Sequence, residues 1–429
     1  PVLSSLPLST MQSTTLLFIS IISTVFFRYF LPSTIYDETI NGYAVHPFKQ
    51  VEEDFRLNFA ENLEREGASV AVYHKGELAV HLWGGYADSS ANRVWDIKTR
   101  TMLFSATKGI AALCISVLVD RGKLRYDDLI VKHWPEYGAN GKYNTTVDDV
   151  LTHKAGIPFL DERVEFADIG TDQVRLKIER AKPVWTPGTA SGYHAVTFGF
   201  ILDELIKKVD GRDTALFFKE EIVDVHDLDM SIGVEKKEYY RTARITTPDW
   251  FEFIKDTIRD PRLLAMLGIF NFRFDGLLDK IAATNSWLTF GYDMTTLNDP
   301  DIASLPLSAV TGVGTAHDTA RLFSLLLQGK IISNSTLSRL HRPTLDTWHI
   351  EQVVLYPVMK GHGFFYDPHP TISGAFTFGH PGYGGQTVHV DPLNDLVVVY
   401  LSNGLKSGSG DLCYPSKRIL RSVYAALTL

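Results

Sequence analysis

Two residues three positions apart, Ser105 and Lys108, form a pattern that could do covalent chemistry. They follow an apolar triplet and open the run Thr107–Val119, whose composition predicts a helix. Their spacing places both side chains on one face of that helix. The first turn of a helix carries unpaired N–H groups and the positive end of the helix dipole, which favour negative charge developing nearby. The pattern predicts a serine nucleophile with a lysine one turn away to take its proton.

The lysine can act as a base near neutral pH only in an unusual environment. Its pKa would have to lie about three below the usual value of about 10.4, equivalent to about 4 kcal/mol. Burial behind Phe104 could supply part of this difference. An S-x-x-K string alone occurs about once or twice by chance in a chain of this length, so its meaning depends on partners elsewhere.

Two further motifs follow in the sequence. The first is Trp185-Thr186-Pro187-Gly188-Thr189-Ala190-Ser191-Gly192-Tyr193-His194, whose turn residues would present Tyr193 at the start of another apolar helix. The second is Phe378-Gly379-His380-Pro381-Gly382-Tyr383-Gly384-Gly385, a strand end whose glycines let backbone approach a ligand closely. Three such segments in this order are far less expected by chance than the first alone.

Together the motifs resemble those of the superfamily of serine β-lactamases, D-alanyl-D-alanine peptidases and related esterases, whose signature is S-x-x-K, a middle S-D-N-type element and K-T-G. The middle element here is similar to the Y-x-x variant of class C-like enzymes and esterases, and the resemblance covers about residues 50–425. It implies that Ser105 is acylated, that Lys108 accepts or relays its proton, and that Tyr193 is the phenol or phenolate general base.

The resemblance also assigns the third motif. The backbone N–H groups of Ser105 and Tyr383 would form the oxyanion hole. His380, Gly382 and Tyr383 would contact the substrate, with His380 at the position of the first residue of K-T-G. No metal and no cofactor is implied.

Two departures from the superfamily pattern narrow the expected substrate. Ala195 stands where the lactamases have an asparagine, and His380 stands where they have a lysine. The first change removes an amide that would bind an acylamino group, and the second replaces a cation by a side chain largely neutral at pH 7. We therefore expect a carboxylic ester hydrolase. The alternatives are a peptidase or β-lactamase-type amidase, and a non-catalytic binding or assembly protein that keeps the fold.

The elements that must position these motifs come from both ends of the chain. Residues 69–74 and 78–83 flank a short turn and predict a hairpin, and residues 386–390 and 396–401 predict a second one. Val51, Phe55, Phe59 and Leu63 predict one face of an amphipathic helix that ends near Gly67. A final helix is predicted from about 417 to 427, whereas residues 105–340 are rich in helical patterns. The expected fold is α+β, an α/β sandwich in which one antiparallel sheet built from both chain ends is flanked by helices, with an inserted, mostly helical lobe.

The expected domain organisation follows from these patterns. Residues 1–48 would be a hydrophobic signal or anchor and a polar linker, and residues 49–429 one β-lactamase-like domain. Its sheet lobe would span about 49–104 and 341–429, and its helical lobe about 105–340. The apolar stretch Leu263–Phe272 predicts a buried helix, against the alternatives of a lid over an acyl pocket or a membrane-touching flap.

Composition excludes other classes of protein and partner. The chain has 42 basic and 50 acidic residues and a net charge of -8, without the basic excess that nucleic acid binding requires. Its two cysteines, Cys114 and Cys413, are expected to be buried free thiols rather than a bridge. The expected partner is a small-molecule ester or amide; the oligomeric state is not predicted.

The N-terminal stretch of residues 16–27 is apolar and is followed by Arg28. It is typical of a signal-peptide h-region or a short membrane anchor. Because no A-x-A cleavage site follows, and no Lys or Arg lies between Met11 and the stretch, we expect an uncleaved anchor. The protein would then enter the secretory pathway, either attached to a membrane through residues 16–31 or secreted. The sequons at Asn144 and Asn334 could be glycosylated there.

Overall fold

The computed structural model describes residues 39–271, 275–289, 293–345 and 351–428, without the side chains of residues 269–271. The predicted apolar anchor at residues 16–31 lies outside these ranges. Within them, no helix is both long enough and apolar enough to cross a bilayer.

The strands of the described residues belong to two sheets. They are β1 (Asn41–Ala44), β2 (Gly67–His74), β3 (Glu77–Asp88), β4 (Arg93–Val94), β5 (Thr101–Met102), β6 (Met230–Ile232), β7 (Gly312–Gly314), β8 (Met359–Gly361), β9 (Phe364–Pro368), β10 (Phe376–Pro381), β11 (Thr387–Asp391) and β12 (Leu396–Ser402).

The α-helices of the described residues lie near both ends of the described part of the chain and throughout its middle. They are α1 (Lys49–Ala60), α2 (Thr107–Asp120), α3 (Val147–Leu151), α4 (Asp172–Arg180), α5 (Thr197–Asp210), α6 (Thr214–Phe218), α7 (Asp224–His226), α8 (Trp250–Arg259), α9 (Arg262–Asn271), α10 (Leu277–Thr284), α11 (Pro300–Ala303), α12 (Ala316–Leu327), α13 (Asn334–Leu337) and α14 (Tyr414–Ala426).

The main sheet is antiparallel and joins the two ends of the chain. Its order is β1-β3-β2-β12-β11-β10-β9-β8, with β4 paired to β3. The two predicted hairpins, β2–β3 and β11–β12, meet where Val72 pairs with Val398. The expected fold class is thus confirmed. Strand β1 lies within the range expected to be linker, so the sheet already begins at Asn41.

The central strands are buried on both faces because helices cover the sheet on both sides. In β2, Val70 and Val72 pack with α1 and α14, whereas Ala71 and Tyr73 belong to the core shared with α2 and α12. Since successive side chains of a strand point to opposite faces, a strand between two layers must be apolar at nearly every position. This explains the continuous apolar run Leu396–Leu401.

The helical region between the two sheet-forming parts contains a small sheet of its own. Its order is β5-β7-β6, and β7 pairs with both neighbours. Strand β5 ends at Met102, directly before the first motif. The small sheet therefore fixes the backbone that leads to Ser105.

A buried charged cluster joins the end of α1 to the end of β12. Glu64 accepts hydrogen bonds from the Tyr400 hydroxyl at 2.6 Å and from Ser402 Oγ at 3.1 Å, and it pairs with Lys406. The lysine also donates to the Gly404 carbonyl at 2.8 Å. Glu64 is fully buried and Lys406 nearly so. Such a pair stabilises the fold only while both partners are present, because either charge alone would be buried without compensation.

We predict that Lys406→Met lowers the free energy of unfolding by about 3–5 kcal/mol, because it leaves the Glu64 carboxylate buried and uncompensated. Urea denaturation followed by circular dichroism measures this change. The matched control is Lys219→Met, which removes a lysine from the exposed pair with Asp224 and should change stability little. Equal midpoints for the two variants would contradict the assigned role of the cluster.

Candidate active site

Ser105 lies in a tight 3-10 turn that leads into α2. The preceding residue, Phe104, has a φ of 49°, in the left-handed region that a bulky side chain rarely adopts. Hydrogen bonds to β7 hold this turn: Leu103 N–H donates to the Gly312 carbonyl at 2.7 Å, and Gly312 N–H donates to Thr107 Oγ1 at 2.9 Å. The surrounding structure thus fixes a strained backbone at the predicted nucleophile.

Lys108 is fully buried beside this serine. Its Nζ lies 3.3 Å from Ser105 Oγ, 2.7 Å from the Ala195 carbonyl and 3.0 Å from the Ala309 carbonyl. Burial lowers the pKa of Lys108 well below its ordinary value, since a buried ammonium loses its hydration. A neutral amine has two hydrogens and one lone pair. With both hydrogens donated to the carbonyls, the lone pair remains to accept the Ser105 proton.

Tyr193 lies beside Lys108. Its ring centroid is 4.9 Å from Lys108 Nζ, and its hydroxyl is close enough to Ser105 for that side chain to favour the phenolate and lower its pKa. Burial raises the pKa of Tyr193 above that of a free phenol, so its proton is held at neutral pH. Helix α5 begins at Thr197, so Tyr193 lies in the loop before the helix and not at its first residue.

Two buried histidines fix the loop that carries Tyr193. His194 N–H donates to His153 Nδ1 at 3.1 Å, and Ile157 N–H donates to His194 Nε2 at 3.0 Å. These bonds leave Nδ1 of His194 to donate to the Gly192 carbonyl at 2.6 Å. Burial lowers the pKa of both rings, that of His194 to about 3, so both are neutral. The His153 ring centroid lies 4.8 Å from that of Tyr193.

A lysine that the sequence analysis did not single out supports the same loop. Lys360 of β8 is fully buried; its Nζ donates to Ser191 Oγ at 2.7 Å and lies 3.6 Å from Glu351. Ser191 Oγ in turn donates to the Thr152 carbonyl at 2.8 Å. Burial lowers the pKa of Lys360 to about 8. The sequence signal for this residue is a single charge within an apolar strand, which is too weak to assign.

His380 lies at the end of β10, 2% exposed, with its ring centroid 6.3 Å from that of Tyr193. Its Nδ1 lies 2.7 Å from the Pro381 carbonyl, which can only accept, so Nδ1 carries the proton. Nε2 then presents a lone pair that has no partner among the described residues. Burial, with a smaller contribution from Lys108, lowers the pKa of His380 to about 3. The ring is therefore neutral throughout the physiological range.

The glycines of the third motif allow backbone to approach backbone. A Cβ at Gly382 would lie 2.3 Å from the Leu103 carbonyl oxygen, so only glycine permits this contact. The next residue, Tyr383, has its ring centroid 6.1 Å from that of Phe104. The glycine expected to admit a ligand thus serves first to bring this turn against the segment that carries Ser105.

The structure brings the predicted site residues into one place. Lys108 Nζ lies 3.3 Å from Ser105 Oγ and 4.9 Å from the Tyr193 ring centroid. The other three, namely His380, Gly382 and Tyr383, join them through ring and backbone contacts. Among the described residues, no group of histidine, cysteine, aspartate or glutamate side chains is arranged to hold a metal ion. Cys114 and Cys413 are buried and unbridged, as expected. The arrangement provides a nucleophile, a desolvated amine and a phenol, the set that acyl transfer through serine requires.

The chain is similar to known proteins in sequence and in fold. A model of the Beta-lactamase family matches residues 55–420. The chain is 30% identical over 351 residues to the esterase/beta-lactamase LipL of Mycobacterium tuberculosis, an alignment that covers 80% of this chain and 78% of that protein. Two solved structures are also similar, a family VIII carboxylesterase with a TM-score of 0.77 and a penicillin-binding protein homolog from Caulobacter crescentus with 0.75. Each is 27% identical to this chain, and the match covers 90% of this chain and 99% of the chain in the solved structure. The chain therefore belongs to the beta-lactamase family of serine hydrolases.

Proposed function

We propose that this protein hydrolyses carboxylic esters through an acyl-enzyme on Ser105. The observation that carries the choice of substrate is His380, which is buried and neutral at the position where the family's lactamases place a lysine. A neutral ring cannot offer a substrate carboxylate the charge-assisted hydrogen bond that an ammonium gives. Ala195 adds to this preference, since it has no side-chain amide for an acylamino group.

Acylation follows from the contacts of Ser105. Its Oγ attacks the ester carbonyl carbon while its proton passes to the lone pair of Lys108 Nζ. The oxyanion that forms accepts hydrogen bonds from the N–H groups of Ser105 and Tyr383, which the family resemblance assigns to this role. When the tetrahedral intermediate collapses, the C–O bond to the alcohol breaks. The departing alcohol oxygen takes the proton of the Tyr193 hydroxyl. The Lys108 ammonium then gives a proton to Tyr193, which restores the neutral amine.

Deacylation reverses these roles with water as the nucleophile. The neutral Lys108 amine, directly or through Tyr193, removes a proton from water as its oxygen attacks the acyl carbon. Collapse then breaks the bond to Ser105 Oγ, which regains a proton, and the carboxylic acid leaves. The net reaction consumes one ester and one water and yields one acid and one alcohol.

An ester substrate is supported by two of the similar proteins, because LipL is an esterase/beta-lactamase and one of the solved structures is a family VIII carboxylesterase. Another similar structure is a penicillin-binding protein homolog, so the amide-directed alternative keeps the same nucleophile. Esterase and amidase activity differ in the substrate, an ester or an amide, whose acyl group is transferred to Ser105.

We predict that a serine-directed fluorophosphonate labels the wild-type protein and that Ser105→Ala abolishes both labelling and hydrolysis of short-chain p-nitrophenyl esters. The matched control is Ser335→Ala at an exposed serine, which should keep both. Intact-protein mass spectrometry and absorbance measure the two outcomes. Labelling that persists without Ser105 would refute the nucleophile, whereas a stable penicillin adduct in a protein inert to esters would favour the amide-directed alternative.

A second prediction concerns His380. Because its pKa is lowered to about 3, the preference of the wild type for neutral over carboxylate-bearing esters should stay constant from pH 5 to 8. His380→Lys should raise kcat/KM for the carboxylate-bearing ester relative to the neutral one by about 10- to 100-fold, the range expected for one hydrogen bond to a charged group. His380→Gln, which adds no charge, is the control. If the ratio of kcat/KM for the carboxylate-bearing ester to that for the neutral ester is equal in both variants, His380 takes no part in substrate recognition.

A further inference from the structure

Helix α8 is attached to the domain by its polar side. Glu252 pairs with Arg65 at 2.9 Å, and Lys255 Nζ donates to the Asn62 carbonyl at 3.0 Å. Asp256 accepts a backbone N–H bond at 3.0 Å from the loop after β12. These three side chains turn toward the body of the protein, the reverse of an ordinary amphipathic surface helix, which buries its apolar side.

The apolar side of α8 faces outward. Trp250 and Ile258 are each 67% exposed, and Phe251 and Ile254 are also exposed. At 100° per residue, these four side chains fall within an arc of about 100°. Leu264 of the following helix is 59% exposed, so the prediction that the stretch from Leu263 is a buried helix is wrong at this residue. We call these five side chains the α8–α9 apolar face.

The N-terminal segment meets the domain at the same edge. The described chain starts at Thr39, whose hydroxyl accepts the Gly85 N–H at 2.8 Å. Gly85 lies against Glu66, since a Cβ there would be 2.0 Å from the Glu66 carbonyl oxygen. The neighbouring Arg65 holds α8 through Glu252. The 38 residues before Thr39, which include the apolar stretch 16–27, therefore join the domain beside the base of α8.

We propose that the α8–α9 apolar face rests on the surface of a lipid bilayer. A helix with tryptophan, phenylalanine and isoleucine on one side and charges on the other is typical of one lying in the plane of a membrane interface. An exposed apolar face of this size marks an interaction site. The chain that leads to the apolar N-terminal stretch enters the domain at this edge through Thr39, which favours lipid over a second copy of the chain. Two weak membrane contacts together hold far better than one.

The start of α9 is connected to the active site through residues that contact one another. Arg262, at the start of α9, pairs with Asp411 at 2.7 Å. The adjoining Gly410 packs on Pro381, since a Cβ there would lie 3.5 Å from it. Pro381 directly precedes Gly382 of the third motif. Contacts in series thus connect the start of α9 to the turn that carries Tyr383, although the membrane contact does not depend on the reaction that Ser105 performs.

The test places a fluorophore on the face of the full chain. Cys114 and Cys413 are buried, so Ile258→Cys can be labelled selectively with an environment-sensitive dye. The matched control is Val225→Cys on α7, an aliphatic residue 64% exposed. With phosphatidylcholine vesicles whose acyl chains are brominated, we expect the dye at position 258 to lose most of its fluorescence and the dye at position 225 to lose none.

Three results would overturn the proposal. Vesicles that sediment with the protein but leave the dye at position 258 unquenched would assign membrane contact to the N-terminal segment alone. A blue-shifted dye without lipid, in a protein of doubled mass, would assign the face to a second copy, and the same shift in a monomer would assign it to the protein's own N-terminal segment. Ile258→Glu should weaken vesicle binding and leave fluorophosphonate labelling of Ser105 unchanged. A failure of the proposed ester hydrolysis is therefore distinguished from a failure of the membrane proposal.

Discussion

The site depends on one desolvated amine. Lys108 is fully buried, and its hydrogen-bond partners are two backbone carbonyls and the Ser105 hydroxyl. Removing an ammonium from water without a nearby carboxylate disfavours its charged form, so burial alone makes the lysine a base at moderate pH. The two carbonyls come from the Tyr193 loop and from the segment before β7, elements distant in sequence. The fold must bring both against α2 before the serine can react.

Much of the structure around the Lys108 amine serves to exclude water from it. Helix α2 packs between the main sheet and the helical region, and its residues from Thr107 to Leu118 are buried. Phe104 keeps a strained φ because β7 holds the residues on either side of it. The neutral pair His153 and His194 fixes the Tyr193 loop without adding charge next to Lys108. A carboxylate in their place would stabilise the ammonium and remove the base.

The sequence predicted most of the sheet and the three motifs, because each depends on local patterns. Alternating or continuous apolar residues identified both hairpins, and S-x-x-K followed by a tyrosine and a glycine-rich strand end identified the nucleophile region. The sequence could not predict the pair of Lys360 and Glu351, since their meaning arises only when β8 lies next to the Tyr193 loop. It also missed the outward apolar side of α8, because periodicity shows that a helix is amphipathic and not which side the domain covers. The same reason explains why Leu264 was expected to be buried.

The central claim is that a neutral Lys108 accepts the Ser105 proton, and the pH dependence of acylation tests it most directly. Rapid mixing of the protein with an ester that releases a coloured alcohol gives the rate constant of the burst between pH 6 and 11. Because protonation fills the lone pair, the rate constant should rise with pH and level off with a midpoint well below the usual lysine value of about 10.4. Lys108→Arg, which stays charged throughout, should abolish the burst. A midpoint at or above the usual lysine value, or an unchanged profile in Lys108→Arg, would contradict the account.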